Sequence, residues 1–149
     1  MPKLIPVANP QTKPFWDAVN QKKFVIQKCD KGHLNYPPGQ RCSARGCGSE
    51  KLEWSELPQP IKGHIDTYIV IEDGRLDRRI PDQPYNMALI TLDEDPTINF
   101  YSNLPGIETY KVPVGAPVEM IFEETAPGTL IHEWKVTGPA DPNRGRMRK

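Results

Sequence analysis

The sequence predicts a mostly β protein with a short N-terminal helix, a zinc ribbon and a five-stranded barrel of the OB type. Three observations lead to this prediction. The chain of 149 residues contains 17 prolines and 11 glycines, which favour short strands and turns over long helices. All three cysteines lie close together with a histidine, in the spacing of a metal clamp. Five strand-like segments separated by turn residues then follow, and five strands suit a small closed barrel.

Residues 1–22 are predicted to form an irregular arm and a short helix. Pro14 suits the first position of a helix, where its missing N–H costs nothing. Phe15, Trp16 and Val19 would share one apolar face of that helix. The face either packs onto the rest of the chain or docks onto a partner protein, and the pattern leaves both alternatives open.

Residues 23–58 are predicted to be the zinc ribbon. Weak alternation over residues 23–28 and the segment Leu52–Glu56 predict one strand on each side of the ligand run. A Pro-Gln-Pro sequence at residues 58–60 marks the boundary with the next domain. The candidate metal ligands between the two strands are Cys29, His33, Cys42 and Cys47.

These four residues predict a structural zinc site. Three residues separate Cys29 from His33, and four separate Cys42 from Cys47, which is within the range of zinc-binding turns. Three thiolates and one imidazole complete a tetrahedral shell, so no position remains for a catalytic water. The free energy of zinc binding would support the folding of a segment too small to be stable alone.

Residues 59–137 are predicted to be the barrel, and residues 138–149 a polar, basic tail. Alternation over residues 61–71 predicts a long half-buried strand whose odd-numbered residues share one face. Four more strands are predicted, over residues 85–92, 97–103, 114–122 and 130–137. His64 and His132 fall on these strands without neighbouring ligands, so we interpret both as ordinary strand residues.

Composition argues against several classes of protein. The formal net charge is zero and the pI is about 6.8, so the usual electrostatic footprint of a nucleic-acid binder is missing. No run approaches the ~20 apolar residues of a membrane span, and the first residues lack the pattern of a secretory signal. An odd number of cysteines suits a reducing compartment better than a disulfide framework, which predicts a cytoplasmic location.

Several short motifs occur in an order that resembles a known family. The N-terminal motif is Pro14-Phe15-Trp16, the ribbon carries Tyr36-Pro37-Pro38, Cys47-Gly48-Ser49 and Leu52-Glu53-Trp54, and the barrel carries Ser102-Asn103-Leu104 and Val114-Gly115-Ala116-Pro117-Val118. Together they resemble the zinc-ribbon/OB-fold family of small acyl-CoA-associated proteins that accompany thiolases, over about residues 14–136. The family usually has Cys-x-x-Cys in both metal-binding turns, whereas this chain has longer spacings and a histidine at position 33.

The resemblance implies a partner subunit. Members of this family look like non-catalytic subunits of thiolase-type enzymes, such as the archaeal acetoacetyl-CoA thiolase/hydroxymethylglutaryl-CoA synthase complex, steroid side-chain aldolases and benzoylsuccinyl-CoA thiolase. The partner would supply the nucleophilic cysteine, and the small chain would scaffold the complex and shape the coenzyme A entrance. Candidate contacts to coenzyme A phosphates or to the partner are Arg75, Arg78 and Arg79, in a long charged loop, together with Phe15 and Trp16. Simple solvation of the loop is the alternative.

Two other functions are open at this point. OB barrels often bind single-stranded nucleic acid through aromatic side chains and a basic groove, although the neutral charge of this chain weakens that reading. An independent acyl-CoA hydrolase or transferase would need a nucleophile, yet the cysteines are all assigned to zinc. Acidic clusters at residues 93–95 and 123–124 fit a solvated surface better than acid–base chemistry.

Overall fold

The computed structural model describes residues 5–72 and 84–144, and these form two compact units. The first unit comprises the residues up to Ile61 together with Phe122–Ile131, and the second comprises Lys62–Ile121 and the residues from His132 onward. In the described residues, no helix is long and apolar enough to cross a bilayer.

The helix described in the first unit, α1 (Lys13–Asn20), follows a turn closed by two reciprocal hydrogen bonds. The backbone N–H of Thr12 donates to Asn9 Oδ1 at 2.8 Å, and the backbone N–H of Asn9 donates back to Thr12 Oγ1 at 3.1 Å. These bonds fix the turn that leads the chain into the helix. The buried residues Phe15, Ala18 and Val19 are spaced i, i+3, i+4, as expected for one helix face.

A three-stranded antiparallel sheet also belongs to this unit, in the order β2-β1-β3. Its strands are β1 (Val25–Cys29), β2 (Leu34–Asn35) and β3 (Leu52–Glu56). Phe15 packs edge-on against Phe24, with ring centroids 5.7 Å apart. Phe24 and Ile26 are 0% and 1% exposed, so the helix and the sheet share one apolar core beside the metal-binding residues.

A second, five-stranded antiparallel sheet has the order β6-β5-β4-β7-β8. Its strands are β4 (Lys62–Ile71), β5 (Tyr85–Leu92), β6 (Asn99–Ser102), β7 (Pro117–Ala126) and β8 (Thr129–Val136). The interior is apolar and includes Ile65, Ile90, Phe100 and Trp134, each no more than 1% exposed. A hydrogen bond links the two strands at the ends of this order, β6 and β8. Ser102 Oγ donates to Glu133 Oε2 at 2.8 Å.

The predicted fold class is confirmed, and most strands lie within a few residues of their predicted positions. One feature of β4 differs from prediction. The register against β5 shifts between Ile65 and Thr67, so Asp66 forms an irregularity that changes which side chains face inward. Ile69 is therefore 54% exposed, although simple alternation places it on the same face as buried Ile65. The uniform face predicted for residues 61–71 is wrong beyond the bulge.

The last described residues also differ from a plain exposed tail. The backbone N–H of Asp141 donates to Gly115 O at 3.3 Å, and Arg144 Nη2 donates to Asp93 Oδ1 at 3.1 Å. A Cβ added at Gly115, whose φ is +86°, would lie 2.9 Å from Asp141 O. The segment up to Arg144 is thus held against the turn after β5, while the remaining basic residues lie outside the described part of the chain.

Candidate metal centre

The first ligand pair is positioned by the end of β1. Cys29 is the last residue of this strand, and its backbone N–H donates to His33 O at 3.0 Å. The N–H of Gly32 donates to Cys29 O at 2.9 Å, and Gly32 has a φ of +86°. A residue with a Cβ is strained in this left-handed conformation. The glycine therefore allows the tight turn that brings His33 back beside Cys29.

The second pair lies on a loop that returns to β3. The N–H of Cys42 donates to Ser49 O at 2.8 Å, and the N–H of Cys47 donates to Ala44 O at 2.9 Å. These bonds fold the loop so that both thiols face the first pair. Cys42 is 5% exposed and Cys47 is partly exposed, whereas His33 lies on the exposed side of the cluster.

The four candidate ligand atoms converge. All of them lie within 4.8 Å of one another. His33 Nδ1 is 3.5 Å from Cys29 Sγ and 3.9 Å from Cys42 Sγ, and the Sγ atoms of Cys29 and Cys47 are 3.9 Å apart. A tetrahedron with Zn–S bonds of about 2.3 Å and Zn–N bonds of about 2.0 Å has edges of roughly 3.5–3.8 Å. The donor set and its spacing therefore fit one tetrahedral zinc ion.

The local environment also helps one thiol to ionise, which zinc binding requires. Burial opposes the thiolate at Cys29, but backbone hydrogen bonds from His33 and Lys31 and contacts with the other two thiols outweigh it. Together they lower the pKa of Cys29 to about 7. At Cys42, burial and the proximity of the other thiols raise the pKa. A bound dication would favour all three thiolates.

A buried pair of amide side chains supports the loop between the two ligand pairs. Asn35 Nδ2 donates to Gln27 Oε1 at 3.0 Å. Asn35 is 1% exposed and Gln27 is 8% exposed. Gln27 also bonds both backbone groups of Gly39, and Asn35 Oδ1 accepts from the N–H of Ser43 at 2.7 Å. The pair thereby holds the backbone on both sides of Cys42.

Sequence reasoning missed this support. In the sequence, Gln27 falls on a predicted strand and Asn35 on a predicted loop. Nothing in their local sequence distinguishes them from solvated amides. The signal that was present is the position of Asn35, between the first ligand pair and the prolines at 37 and 38. Only the pairing of β1 with β2, which places Gln27 opposite Asn35, makes the two amides neighbours.

The remaining candidate residues lie in different environments. Phe15 is 3% exposed and belongs to the core of the first unit, and Trp16 is half-buried beside it with ring centroids 5.1 Å apart. Arg75, Arg78 and Arg79 lie outside the described residues. The part of the chain that the structure describes contains no second group of three converging metal-ligating side chains.

The two other histidines are strand residues, in β4 and β8. His64 Nε2 lies 3.0 Å from Asp66 Oδ1, and its Nδ1 lies 3.1 Å from Asp93 Oδ1. The two carboxylates are thus on opposite sides of the ring and do not converge on a common point. Burial lowers the pKa of His132 to about 4, which keeps this imidazole neutral at physiological pH.

Two family models match successive parts of this chain. The family model described as the ChsH2 rubredoxin-like zinc ribbon domain matches residues 16–53. The model described as the ChsH2 C-terminal OB-fold domain matches residues 54–123. No curated protein matches the sequence.

Two solved structures are similar to this chain. A chain of an Ltp2–ChsH2 (DUF35) aldolase is 28% identical, with a TM-score of 0.72, and the match covers 88% of this chain and 98% of that chain. A protein of unknown function from the DUF35 family of Sulfolobus solfataricus is 21% identical, with a TM-score of 0.52 and coverage of 87% and 85%. The second likeness bears on the fold alone.

Proposed function

Because the chain belongs to the ChsH2 family of zinc-ribbon and OB-fold proteins, we propose that it is a non-catalytic subunit of a heteromeric, thiolase-like acyl-CoA enzyme. Its partner makes or breaks the carbon–carbon bond. This chain scaffolds the complex and shapes the entrance for the coenzyme A thioester. The observation that carries the proposal is the match to a chain of the Ltp2–ChsH2 aldolase, which extends over 98% of that chain.

The geometry of the metal centre supports a structural role for zinc in this subunit. Cys29, His33, Cys42 and Cys47 together fill the four positions that zinc prefers. A catalytic zinc keeps one position for water or substrate, whereas this donor set leaves none. Since these are the three cysteines of the chain, a metallated cluster also removes the thiols as nucleophiles.

Coenzyme A contact is part of the same proposal. Arg75, Arg78 and Arg79 offer guanidinium groups that pair well with phosphates, and in this proposal they contact coenzyme A at the boundary with the partner. Reversing the charge of Arg78 and Arg79 together is expected to raise the KM for the acyl-CoA or to weaken assembly. Unchanged assembly with unchanged KM would remove these arginines from the proposal and leave the scaffold role standing.

Co-expression with a candidate thiolase-like partner tests the main proposal. We expect one complex of defined mass in size-exclusion chromatography with light scattering, and acyl-CoA turnover that requires both subunits. Turnover by this chain alone would contradict the non-catalytic role. Tight, salt-sensitive binding of single-stranded oligonucleotides by the isolated chain, without any complex, would favour a nucleic-acid-binding module instead.

A further inference from the structure

One histidine in the five-stranded sheet lies between two carboxylates. His64 Nε2 is 3.0 Å from Asp66 Oδ1, and His64 Nδ1 is 3.1 Å from Asp93 Oδ1. The side chain of His64 is 16% exposed, so water has limited access to the ring. The imidazole thus joins the bulge of β4 to the turn that follows β5.

These two contacts fit a ring that carries a proton on each nitrogen. A neutral imidazole has one N–H and one lone pair. It donates to one carboxylate and turns its lone pair toward the other, so that two acceptors face each other. The imidazolium donates to both carboxylates, and the observed positions of Asp66 and Asp93 suit this charged form.

Neighbouring groups keep both carboxylates in the role of acceptors. Thr91 Oγ1 donates to Asp66 Oδ2, and Arg144 Nη2 donates to Asp93 Oδ1 at 3.1 Å. With the ring charged, two cations balance two carboxylates. Loss of the ring proton leaves one negative charge in excess among these four groups, which weakens their mutual attraction.

Other charged side chains lie on the elements around His64. They are Lys62 on β4, Glu119 on β7, Glu94 and Asp95 in the turn after β5, and Asp141 after β8. Lys62 and Glu119 are register partners of each other. Asp95 accepts hydrogen bonds from Thr97, and Asp141 accepts one from the N–H of Asn143. Within residues 5–72 and 84–144, the ion pairs of the ring are those with Asp66 and Asp93.

The cluster holds a strap, which we define as residues 138–144. The N–H of Asp141 donates to Gly115 O at 3.3 Å, and the N–H of Gly115 donates to Ile65 O at 2.7 Å. These bonds connect the strap to β4 at the residue between His64 and Asp66. Arg144 closes the circuit from the other end of the strap, because its guanidinium binds Asp93.

The other two histidines of the chain are not suited to respond to pH near neutrality. The chain has three histidines. His33 is the candidate zinc ligand, and burial lowers the pKa of His132 to about 4. Imidazole is the side chain that ordinarily changes its charge between about pH 5 and 8, which leaves His64 as the histidine able to do so.

We propose that His64 is a proton-dependent clasp for the strap: the imidazolium joins Asp66 to Asp93 and keeps Asp93 in place for Arg144, and the neutral ring releases one carboxylate and loosens the strap. This inference is independent of the proposed function, because every group in it belongs to this chain. The basic residues at positions 146, 148 and 149 follow the strap in the sequence. The clasp therefore sets how firmly the chain is anchored just before them.

The test uses the zinc-loaded full chain at about pH 5.5 and about pH 8, within the range in which an imidazole changes charge. Long-range ¹H–¹⁵N NMR spectra show whether each nitrogen of His64 carries a proton. Exchange of the Asp141 amide with water, divided by its intrinsic rate at each pH, reports how firmly the strap is held.

We expect both nitrogens of His64 to be protonated at the lower pH. The protection of the Asp141 amide should fall by about threefold or more at the higher pH, the effect of losing one partly exposed charged contact. A ring that keeps one protonation state at both pH values would overturn the inference. Equal protection of Asp141 in the two states of the ring would overturn it as well.

The variant His64→Gln separates the ring from the carboxylates. Glutamine keeps a side-chain N–H but carries no proton that is lost in this range, so the protection of Asp141 should become independent of pH. If it falls as in the unaltered chain, other groups cause the change and the inference is wrong. The amide of Ile107, which donates to Leu104 O at 3.2 Å in a turn of the same unit, is the internal control and should not change.

The variant Arg144→Gln tests the route through Asp93. Without the guanidinium, the protection of Asp141 should be low at both pH values, while His64 still gains and loses its proton. Full pH dependence of this protection in Arg144→Gln would show that the strap is not held through Asp93 and would contradict the inference.

Discussion

The side-chain amide of Asn35 donates a hydrogen bond to Gln27 Oε1 at 3.0 Å inside the zinc ribbon. The same two side chains bond the backbone of Gly39 and Ser43, so one buried contact organises the loop that carries Cys42. A buried polar group is stabilising only when its partners are all in place. The geometry of the metal centre therefore depends on residues that do not contact the metal.

Replacing Asn35 with alanine should destabilise the ribbon. The change leaves the Ser43 N–H and part of the Gln27 amide without their partners in a buried site, which costs about 2–4 kcal/mol in the free energy of unfolding. Urea unfolding of the zinc-loaded protein measures this loss. Gln40→Ala, at an exposed position of the same loop, is the control and should cost less than about 0.5 kcal/mol. Equal effects of the two substitutions would contradict the role of the amide pair.

His33 is expected to be the fourth zinc ligand. If a site worth about 10–16 kcal/mol is shared among four ligands, His33→Ala should weaken zinc binding by on the order of 100-fold or more. His33→Cys should restore tight binding, because a fourth thiolate completes the same shell. Competition with a chromophoric chelator measures the affinity, and His64→Ala is the control. Full zinc affinity in His33→Ala would assign the fourth position to another group.

Stability should depend on the protonation of His132. Burial lowers its pKa to about 4, below the value of about 6.5 in an unfolded chain, so between these values the folded state binds fewer protons. The contribution of neutral His132 to the free energy of unfolding is complete above about pH 6.5. It declines as the pH falls toward 4, by up to about 1.4 kcal/mol per pH unit.

The substitution His132→Phe tests this dependence. Phe retains an aromatic ring beside Phe100, whose centroid lies 5.6 Å from the imidazole. The difference in unfolding free energy between the two proteins, measured from pH 7 to pH 4, removes the effects of zinc loss that both share. We expect the variant to become relatively more stable as the pH falls. A constant difference would show that His132 does not titrate on unfolding.

Gly63 is expected to tolerate no side chain. A Cβ at this position would lie 2.6 Å from Thr91 O on the neighbouring strand, so Gly63→Ala must separate β4 from β5 and should cost about 2–4 kcal/mol. Gly128 has a φ of +74° and no atom within 4 Å of an added Cβ. Gly128→Ala should therefore lower the free energy of unfolding by only about 1–2 kcal/mol, which is the cost of the left-handed backbone conformation. Thermal unfolding should rank the two variants in this order, and the reverse order would be inconsistent with the close approach of the strands.

Local patterns account for what could be predicted from the sequence. The four candidate metal ligands were recognisable because the chemistry of thiolates and imidazole, and the short turns between them, depend on a few adjacent residues. Strands β3 and β5 match the predicted Leu52–Glu56 and Tyr85–Leu92 because each is a short segment bounded by turn residues. Strand β2, with two residues, is too short to produce a period and was not predicted.

The sequence by itself determined the fold class, and it singled out the three cysteines and the histidine whose ligand atoms converge. The tertiary structure alone decided two other features: the bulge at Asp66 that turns Ile69 outward, and the meeting of Gln27 with Asn35. Each of these depends on which strand lies beside which and in what register. Register is a relationship between distant segments, so no window of the sequence contains it.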